Sequence, residues 1–345
     1  MATEPATDFS FDAEAASGER GAQRPTAGSG PWVLAMRRLR RNRVALAAGA
    51  VFLLIVASSV SAPLYATYVA ERSPSKTGVT DKIVVDGRAL DVVSPDSVPL
   101  GPGLRRQYLL GADSLGRDVA VRLLYGGRNS LFVGLVASLL TAVLAVTLGL
   151  AAGYLGGFAD RLISSLFDIV LAFPPLLFGI ALGTALALGG IDLGFTRVEG
   201  DSLWIPILII GIVYAPYLGR PVRGQVLSLR EKEFVEAAVA QGMGPGRIMF
   251  GEILPNIAST LVVFGTLIVA NAIILEAYLS FLGAGIQPPA PSWGNLSSDG
   301  VERIVTAPHL ALIPGAAITL TVLALNLFGD GLRDALDPRA KVRLR

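Results

Sequence analysis

Six long apolar runs dominate this sequence and limit it to structures that a lipid bilayer can hold. A helix needs roughly 20 apolar residues to cross about 30 Å of hydrocarbon. Only 16% of the 345 residues are charged, compared with about 25% in ordinary soluble domains. We predict an all-α polytopic membrane protein, because a helix satisfies its own backbone hydrogen bonds in lipid. The predicted spans are 44–70, 129–159, 162–188, 203–219, 253–281 and 308–329.

Basic residues at the ends of these runs predict the orientation of the chain. Five arginines lie within 37–43, just before the first run, and this places the N-terminus in the cytoplasm. Four basic residues follow the fourth run, so the loop 220–256 is expected on the same side. Six spans then return the C-terminus to the cytoplasm. The formal net charge is only +2, so we interpret the arginines as topology signals and expect no nucleic-acid partner.

Composition divides the remaining chain into segments. Residues 1–30 have no hydrophobic period and are predicted to be a disordered cytoplasmic tail. Residues 31–70 hold the basic segment and the first span. Residues 71–127 form a predicted external loop, in which 82–93 alternates around an Asp-Gly turn and predicts a small hairpin. Residues 128–345 are predicted to form a core of five further helices.

The polar-containing segment 231–256, which leads from the fourth span to the fifth, has a helical pattern of its own. Its apolar residues recur at helical spacing, with Glu233 and Glu236 between them. Glycines and Pro245 then break this helix, and a second short helical turn is predicted over 247–253. Pro255 is expected to close the unit before the next span.

This segment resembles the EAA loop of bacterial ABC-importer permeases. The letters EAA at 236–238, glycine at 242 and Leu-Pro at 254–255 carry the resemblance. In that family the loop forms a coupling helix that docks in a groove on the cytoplasmic ATPase, and small residues permit such close approach. One departure is Glu252, where isoleucine or histidine is common. The resemblance assigns ATPase coupling to eight residues: Glu233, Glu236, Ala237, Ala238, Gly242, Leu254, Pro255 and Asn256.

Three further stretches resemble the dipeptide and oligopeptide permeases, and specifically their C-type subunit. Residues 109–131 contain the letters LGRD, and residues 276–296 and 329–339 match the same group. The resemblance implies the type I ABC-importer permease fold, with Trp293 expected in the interfacial aromatic belt. The residues assigned a structural or gating role at the external surface are Asp113, Gly116, Arg117 and Asp118.

The third run contains an acid and a proline pair. Pro174 and Pro175 predict a kink that frees backbone carbonyl groups. Asp168 is a candidate for the transport pathway, because intramembrane acids often mark such paths. It also lies within about two helical turns of the expected cytoplasmic end, so an interfacial helix cap or an ion pair with Arg161 stays open.

The sequence lacks the residues that catalysis or cofactor binding would need. It has no cysteine and one histidine, so an ordinary zinc site cannot assemble. None of its four lysines follows a glycine, which excludes a phosphate-binding loop of the Walker type. We expect no enzyme activity and no cofactor in this chain. ATP and magnesium would be bound by partner ATPase subunits.

The resemblance therefore implies a permease subunit of an ABC importer for di- and oligopeptides in the bacterial cytoplasmic membrane. Its implied partners are a homologous second permease in a heterodimer, two ATPase subunits, an extracytoplasmic binding protein and membrane lipid. An ion-coupled secondary transporter is one alternative, with Asp168 and the broken third and fourth spans as its site. A channel or scaffold subunit would leave residues 231–256 unexplained. Nickel chelates, glutathione and sugars stay open as substrates.

Overall fold

The computed structural model describes residues 31–85, 87–192 and 197–336, and within them helices dominate. The predicted disordered tail at 1–30 and the last matched residues, 337–339, lie outside the described residues. The elements in chain order are α1 (Pro31–Leu39), α2 (Arg43–Val60), α3 (Ala62–Tyr68), β1 (Lys82–Val85), β2 (Arg88–Asp91), α4 (Val119–Leu155), α5 (Gly157–Leu171), α6 (Pro175–Gly189), β3 (Ile191–Asp192), β4 (Arg197–Val198), α7 (Trp204–Leu229), α8 (Glu233–Ala240), α9 (Pro245–Arg247), a π-helical turn (Ile248–Ile253), α10 (Leu254–Phe281), α11 (Trp293–Val301) and α12 (His309–Leu336).

Among the described residues, five helices are long and apolar enough to cross a membrane. They are α2, α4, α7, the continuous helix Pro245–Phe281, and α12. Helices α5 and α6 together provide a sixth span if the bent pair counts as one. The predicted all-α polytopic fold is therefore confirmed, and the strands add only two small antiparallel hairpins.

Helices α4 and α7 form the most extensive helix–helix contact of the bundle. Gly149 and Gly153 of α4 lie directly against Val222 and Val226 of α7, where a Cβ atom would approach within 2.7 Å. Small residues allow such close packing where no hydrophobic force drives helices together in lipid. At this end of the bundle a buried apolar group, here named the α8 cluster, includes Leu150, Leu218, Val226, Val235 and Ile253.

The proline pair produces a break in the third span. Helix α5 ends at Leu171, α6 begins at Pro175, and the two axes meet at 90°. Pro175 occupies the first position of α6, where its missing N–H would be unpaired in any helix. The geometry is thus a sharp corner instead of a gentle kink.

Both ends of α4 differ from the sequence expectation. Helix α4 begins at Val119, ten residues before the predicted span, because Asp118 caps it by accepting the backbone N–H of Val121. The break between the predicted spans 129–159 and 162–188 lies at Gly156 instead, followed by a second glycine. Both glycines have positive φ angles, 65° and 56°, which are readily adopted without a Cβ atom.

The helices of the fourth and fifth spans continue through their internal prolines, contrary to expectation. Helix α7 continues through Pro216 and Pro221 to Leu229, well past the predicted end at 219. The prediction that Pro255 closes a separate unit is wrong, because one helix runs from Pro245 to Phe281. The π-helical turn before Pro255 explains this: the wider turn pairs the Leu254 N–H with the Met249 carbonyl and relieves the proline clash.

The predicted hairpin at 82–93 is confirmed, with Lys82 opposite Asp91 and Val84 opposite Ala89. The sequence interpretation missed α11, whose first turn is closed by a capping box between Ser292 and Asn295. The expectation that Trp293 belongs to an interfacial belt is wrong. Its ring is buried against α4, and its indole N–H donates to the Leu123 carbonyl at 3.0 Å.

Candidate functional site

Helix α8 carries the EAA letters and lies outside the spanning helices. Its inner face contributes Val235 and Ala238 to the α8 cluster, where they are buried beside Ile248 and Ile253. An eight-residue helix is marginal on its own. Packing of its apolar face onto α7 and the start of α10 therefore fixes its position.

The opposite face of α8 is open to solvent. Glu233, Glu236, Ala237 and Gln241 are exposed, and Val239 is 55% exposed. The structure thus separates the eight predicted coupling residues: Ala238 points inward, while Glu233, Glu236 and Ala237 point outward. This outer face combines small side chains with two acids in the first helical turn.

Gly242 ends α8 in a defined cap. Its N–H donates to the Val239 carbonyl at 2.9 Å, and the Met243 N–H donates to the Ala238 carbonyl at 3.1 Å. These two bonds form a Schellman motif, which requires a positive φ at the residue after the cap. Gly242 has φ of +77° with no atom within 4 Å of a hypothetical Cβ. Backbone conformation, not space, thus favours glycine here.

Leu254, Pro255 and Asn256 lie at the junction between the π-helical turn and α10. Leu254 packs against the α8 cluster, whereas Pro255 and Asn256 are exposed. The Asn256 amide donates to the Glu252 carbonyl at 2.7 Å and supports the wide turn. Because α8 packs against the π-helical turn, and that turn continues directly into α10, movement of α8 has a direct route into α10.

Two ion pairs join α5 to α7 near the same end of the bundle, and the first is between Asp160 and Arg223. Arg223 binds both carboxylate oxygens of Asp160, with Nη2 to Oδ2 at 2.8 Å. The Ser164 hydroxyl also donates to Asp160. Arg230 donates to the Gly153 carbonyl at 3.0 Å. Arginines that the sequence interpretation treated only as topology signals therefore also hold the α4–α5 corner.

Asp168 pairs with Arg220 of α7, 52 residues away. The open alternative of a pair with Arg161 is wrong, because residues seven apart on one helix lie about 10 Å apart along its axis. The Arg161 side chain donates to the Gly157 carbonyl instead. The Asp168 and Arg220 side chains are 63% and 51% exposed.

At the other end of the bundle, Asp113 forms the centre of a charged group with Arg117, Arg122 and Asp299, here named the Asp113 cluster. Asp113 accepts the backbone N–H groups of Leu115 and Arg117 at 2.9 Å and the Arg117 Nε at 2.6 Å. Arg122, only 3% exposed, lies 3.4 Å from the same carboxylate. Asp299 of α11 lies 3.5 Å from Arg117 and 3.8 Å from Arg122.

Asp118 and Gly116 lie beside the Asp113 cluster and fix the backbone around it. Asp118 caps α4 and also accepts the Tyr108 backbone N–H at 2.6 Å, while the Tyr108 hydroxyl donates to the Gly116 carbonyl. Burial raises the pKa of Asp118, although its backbone donors act in the opposite direction. Burial also raises the pKa of Tyr108 to about 12, so its hydroxyl remains a donor. A Cβ on Gly116 would lie 2.3 Å from the Gly78 backbone.

Sequence reasoning missed two parts of this arrangement. Asp299 joins the cluster from α11, a helix that was not predicted. Glu276 on α10 is fully buried and accepts the Ser280 hydroxyl at 2.7 Å, and that hydroxyl accepts the Ile286 N–H at 2.9 Å. The spacing of Glu276 and Ser280, four residues apart on one helix, is the signal that could have indicated this link between helix and loop.

Comparison with known proteins identifies the family. Residues 145–342, more than half of the chain, match the family described as binding-protein-dependent transport system inner membrane component. Residues 30–77 match the N-terminal transmembrane domain of oligopeptide transport permease C. The chain belongs to this permease family. It is a multi-pass permease subunit of an ABC importer in the bacterial inner membrane.

Relatives of this permease match it over nearly their whole length. The dipeptide transport system permease protein DppC of Alkalihalophilus pseudofirmus is 40% identical, over 90% of this chain and 91% of the relative. The glutathione transport system permease protein GsiD of Pectobacterium atrosepticum is 38% identical, over 90% and 92%. A putative peptide transport system permease of Brucella suis is 39% identical, over 92% and 95%.

The permease fold is also similar to that of a solved transporter. The inward-facing MetNI methionine ABC transporter aligns with a TM-score of 0.50 and 19% identity, over 63% of this permease and 96% of that chain. At this identity the likeness concerns the fold alone. The relatives of this chain are transport permeases and not enzymes, and the family works with a binding protein and an ATPase.

Proposed function

We propose that this permease translocates di- and oligopeptides that an extracytoplasmic binding protein delivers. Support comes from relatives whose names specify dipeptide and peptide transport. Glutathione, the substrate named for another relative, is itself a small peptide. A short peptide is therefore the substrate class that these three relatives share.

The outer face of α8 is the proposed docking surface for the ATPase. The observation that carries this proposal is the division of α8 into a buried face, with Val235 and Ala238, and an exposed face with Glu233, Glu236 and Ala237. Small side chains let a partner's backbone approach, and the two acids would orient it electrostatically. Closure of the ATPase pair would then move α8 and, through the continuous helix 245–281, shift the bundle between two states.

The full assembly would contain this chain, a homologous second permease as a heterodimer partner, two ATPase subunits and the binding protein. ATP and magnesium would reside in the ATPase subunits, because this chain has no phosphate-binding loop. Both termini and the loop 220–256 would face the cytoplasm, and the Asp113 cluster would face outward. The proposed segment boundaries at 31–70, 71–127 and 128–345 follow this topology.

A pull-down from detergent tests the coupling surface. The wild-type chain, co-expressed with its partner permease and ATPase, should retain the ATPase. Glu236→Arg combined with Gly242→Trp should lose it, because charge and backbone shape both change on the docking face. Glu302→Arg, an exposed acid near α11, is the matched control and should retain it. Failure of the wild-type complex to bind any ATPase would refute the proposed coupling.

A further inference from the structure

One exposed face of the spanning helices carries polar side chains. On α7, Tyr214, Tyr217 and Arg220 follow each other at intervals of three and share a helix face. Tyr217 is 41% exposed and packs edge-on against Tyr214, with ring centroids 5.6 Å apart. The Tyr214 hydroxyl donates to the backbone carbonyl of Asn271 on α10 at 3.4 Å, and Asn271 is exposed. With Asp168, the partner of Arg220, these residues form what is here named the polar strip.

The polar strip runs along the axes of α7 and α10 and not around the bundle. At about 1.5 Å per residue, Arg220 and Tyr214 are separated by roughly 9 Å along α7. Tyr278, exposed and on the same face of α10 as Asn271, continues the line by roughly 10 Å. The strip and Tyr278 together cover roughly 20 Å of a hydrocarbon layer about 30 Å thick.

A large cavity opens where this line ends. Tyr278 lines a space of about 600 Å³ between α10, α11 and α12, whose wall is mostly apolar and includes the polar side chains of Ser297, Thr319 and Asn326. Small-molecule sites in proteins typically occupy about 300–1,000 Å³. A short peptide would fit a space of this size.

The exposed face of α4 has a different composition. The exposed side chains along the middle of α4 include Phe132, Leu135, Leu139 and Val143, all of them apolar. By contrast, the ion pair between Asp168 and Arg220 leaves both side chains more than half exposed. Asp168 and Arg220 lie near the expected cytoplasmic end of their helices, where such exposed charges face water, because exposure of a charge to hydrocarbon is costly.

We propose that the polar strip lines the aqueous path of the transported peptide, with the Asp168–Arg220 pair toward the α8 end of that path. This inference rests on the proposed function. The strip offers one anion, one cation and otherwise neutral hydroxyl and amide groups. A peptide with free termini carries an ammonium and a carboxylate, each of which can form charge-assisted hydrogen bonds with one member of the pair. Recognition of the termini leaves the peptide side chains free to vary.

The absence of cysteine from the chain permits a direct test. Tyr217→Cys and Asn271→Cys place single thiols on the strip, while Leu135→Cys and Leu139→Cys place matched controls on the apolar face of α4. The assembled complex, with partner permease and ATPase, is reconstituted in vesicles and treated with a membrane-impermeant, charged methanethiosulfonate. Labelling is read on the band of this chain.

The strip thiols should react about 10-fold faster than the controls or more, because the reactive thiolate forms in water and not in lipid. A dipeptide with free termini should slow the labelling of Tyr217→Cys, and the same dipeptide with both termini blocked should not.

Equal labelling of strip and control positions would overturn the proposal. So would strip thiols that react only in the isolated chain, since the face would then be a contact with the second permease. Equal protection by the blocked dipeptide would overturn the role of the ion pair.

Peptide-stimulated ATP hydrolysis by the wild-type complex, with binding protein present, separates this inference from the proposed function. If the strip reacts while peptide gives no stimulation, the aqueous path stands and the peptide substrate fails. If peptide stimulates hydrolysis while the strip stays unreactive, the proposed function stands and the path lies elsewhere.

Discussion

Asp113 and Asp299 lie in the same charged cluster, but their surroundings differ. Asp113 is buried and accepts two backbone N–H groups in addition to its arginine partner, whereas the Asp299 side chain is 50% exposed. A buried ion pair loses much more than an exposed pair when one partner is removed, because the remaining charge stays uncompensated. The two acids therefore provide a matched comparison.

Asp113→Asn should lower the free energy of unfolding by about 3 kcal/mol, since Arg117 and Arg122 would lose their buried counter-charge. Thermal unfolding of the detergent-solubilised complex, read from the loss of helical signal, measures this change. An unfolding temperature equal to that of the wild type would show that the buried pair contributes nothing.

The effect of Asp299→Asn on the unfolding temperature should depend on pH. Partial burial raises the pKa of Asp299, although Arg122 and Arg117 oppose the shift. A carboxyl whose pKa is higher in the folded state stabilises the fold below its unfolded value of about 4, and this contribution is lost as pH rises through the folded pKa. We expect Asp299→Asn to match or exceed the wild-type unfolding temperature at pH 7 and to lose that advantage at pH 4. A lower unfolding temperature at pH 7 would contradict this account.

The sequence could suggest residue types at this scale but not their partners. Asp168 was recognisable as an intramembrane acid, yet its partner Arg220 lies 52 residues away on another helix. Local spacing favours partners on the same helix, and only the packing of α5 against α7 decides between them. For the same reason Asp299 could not be assigned to Asp113 before α11 was known.

At the scale of elements, the last turn of α8 depends on its C-terminal cap. The Schellman cap places Gly242 at φ of +77°, and a left-handed conformation costs an L-residue with a side chain roughly 1–2 kcal/mol. Gly242→Ala should therefore fray the last turn of α8 and weaken ATPase retention in the pull-down. Gly244→Ala is the control, because Gly244 has φ of −71° and open space around it. Equal retention by both variants would show that the cap has no part in docking.

Helix periodicity predicted most spans, but their ends depended on features that periodicity does not report. Asp118 caps α4 before its predicted start, and Gly156 ends α4 before its predicted end. Pro255 looked like a helix stop, yet a π-helical turn admits it. Helix α11 is short, and only its capping box in the letters SWGN indicates it. Each boundary thus rests on a cap, a turn or a wide helical turn, and not on hydrophobicity.

At the scale of the whole molecule, the two ends of the bundle are built differently. At one end the Asp113 cluster and the buried Glu276 tie loops and α11 to the spanning helices. At the other end α8 rests on a buried apolar cluster and exposes the face proposed to dock the ATPase. The sequence suggested the docking segment through its resemblance, because α8 is local in the chain. The link between both ends, through α7 and α10, became visible only in the packed structure.

ATP-driven peptide uptake tests the central claim most directly. Vesicles containing this permease, its partner permease and the ATPase would hold ATP inside, with binding protein and a labelled dipeptide outside. We expect accumulation that requires both ATP and binding protein, is lost with the Glu236→Arg and Gly242→Trp combination, and is kept with Glu302→Arg. Uptake that continues without ATP and follows an imposed ion gradient would contradict the account and favour an ion-coupled transporter with Asp168 at its site.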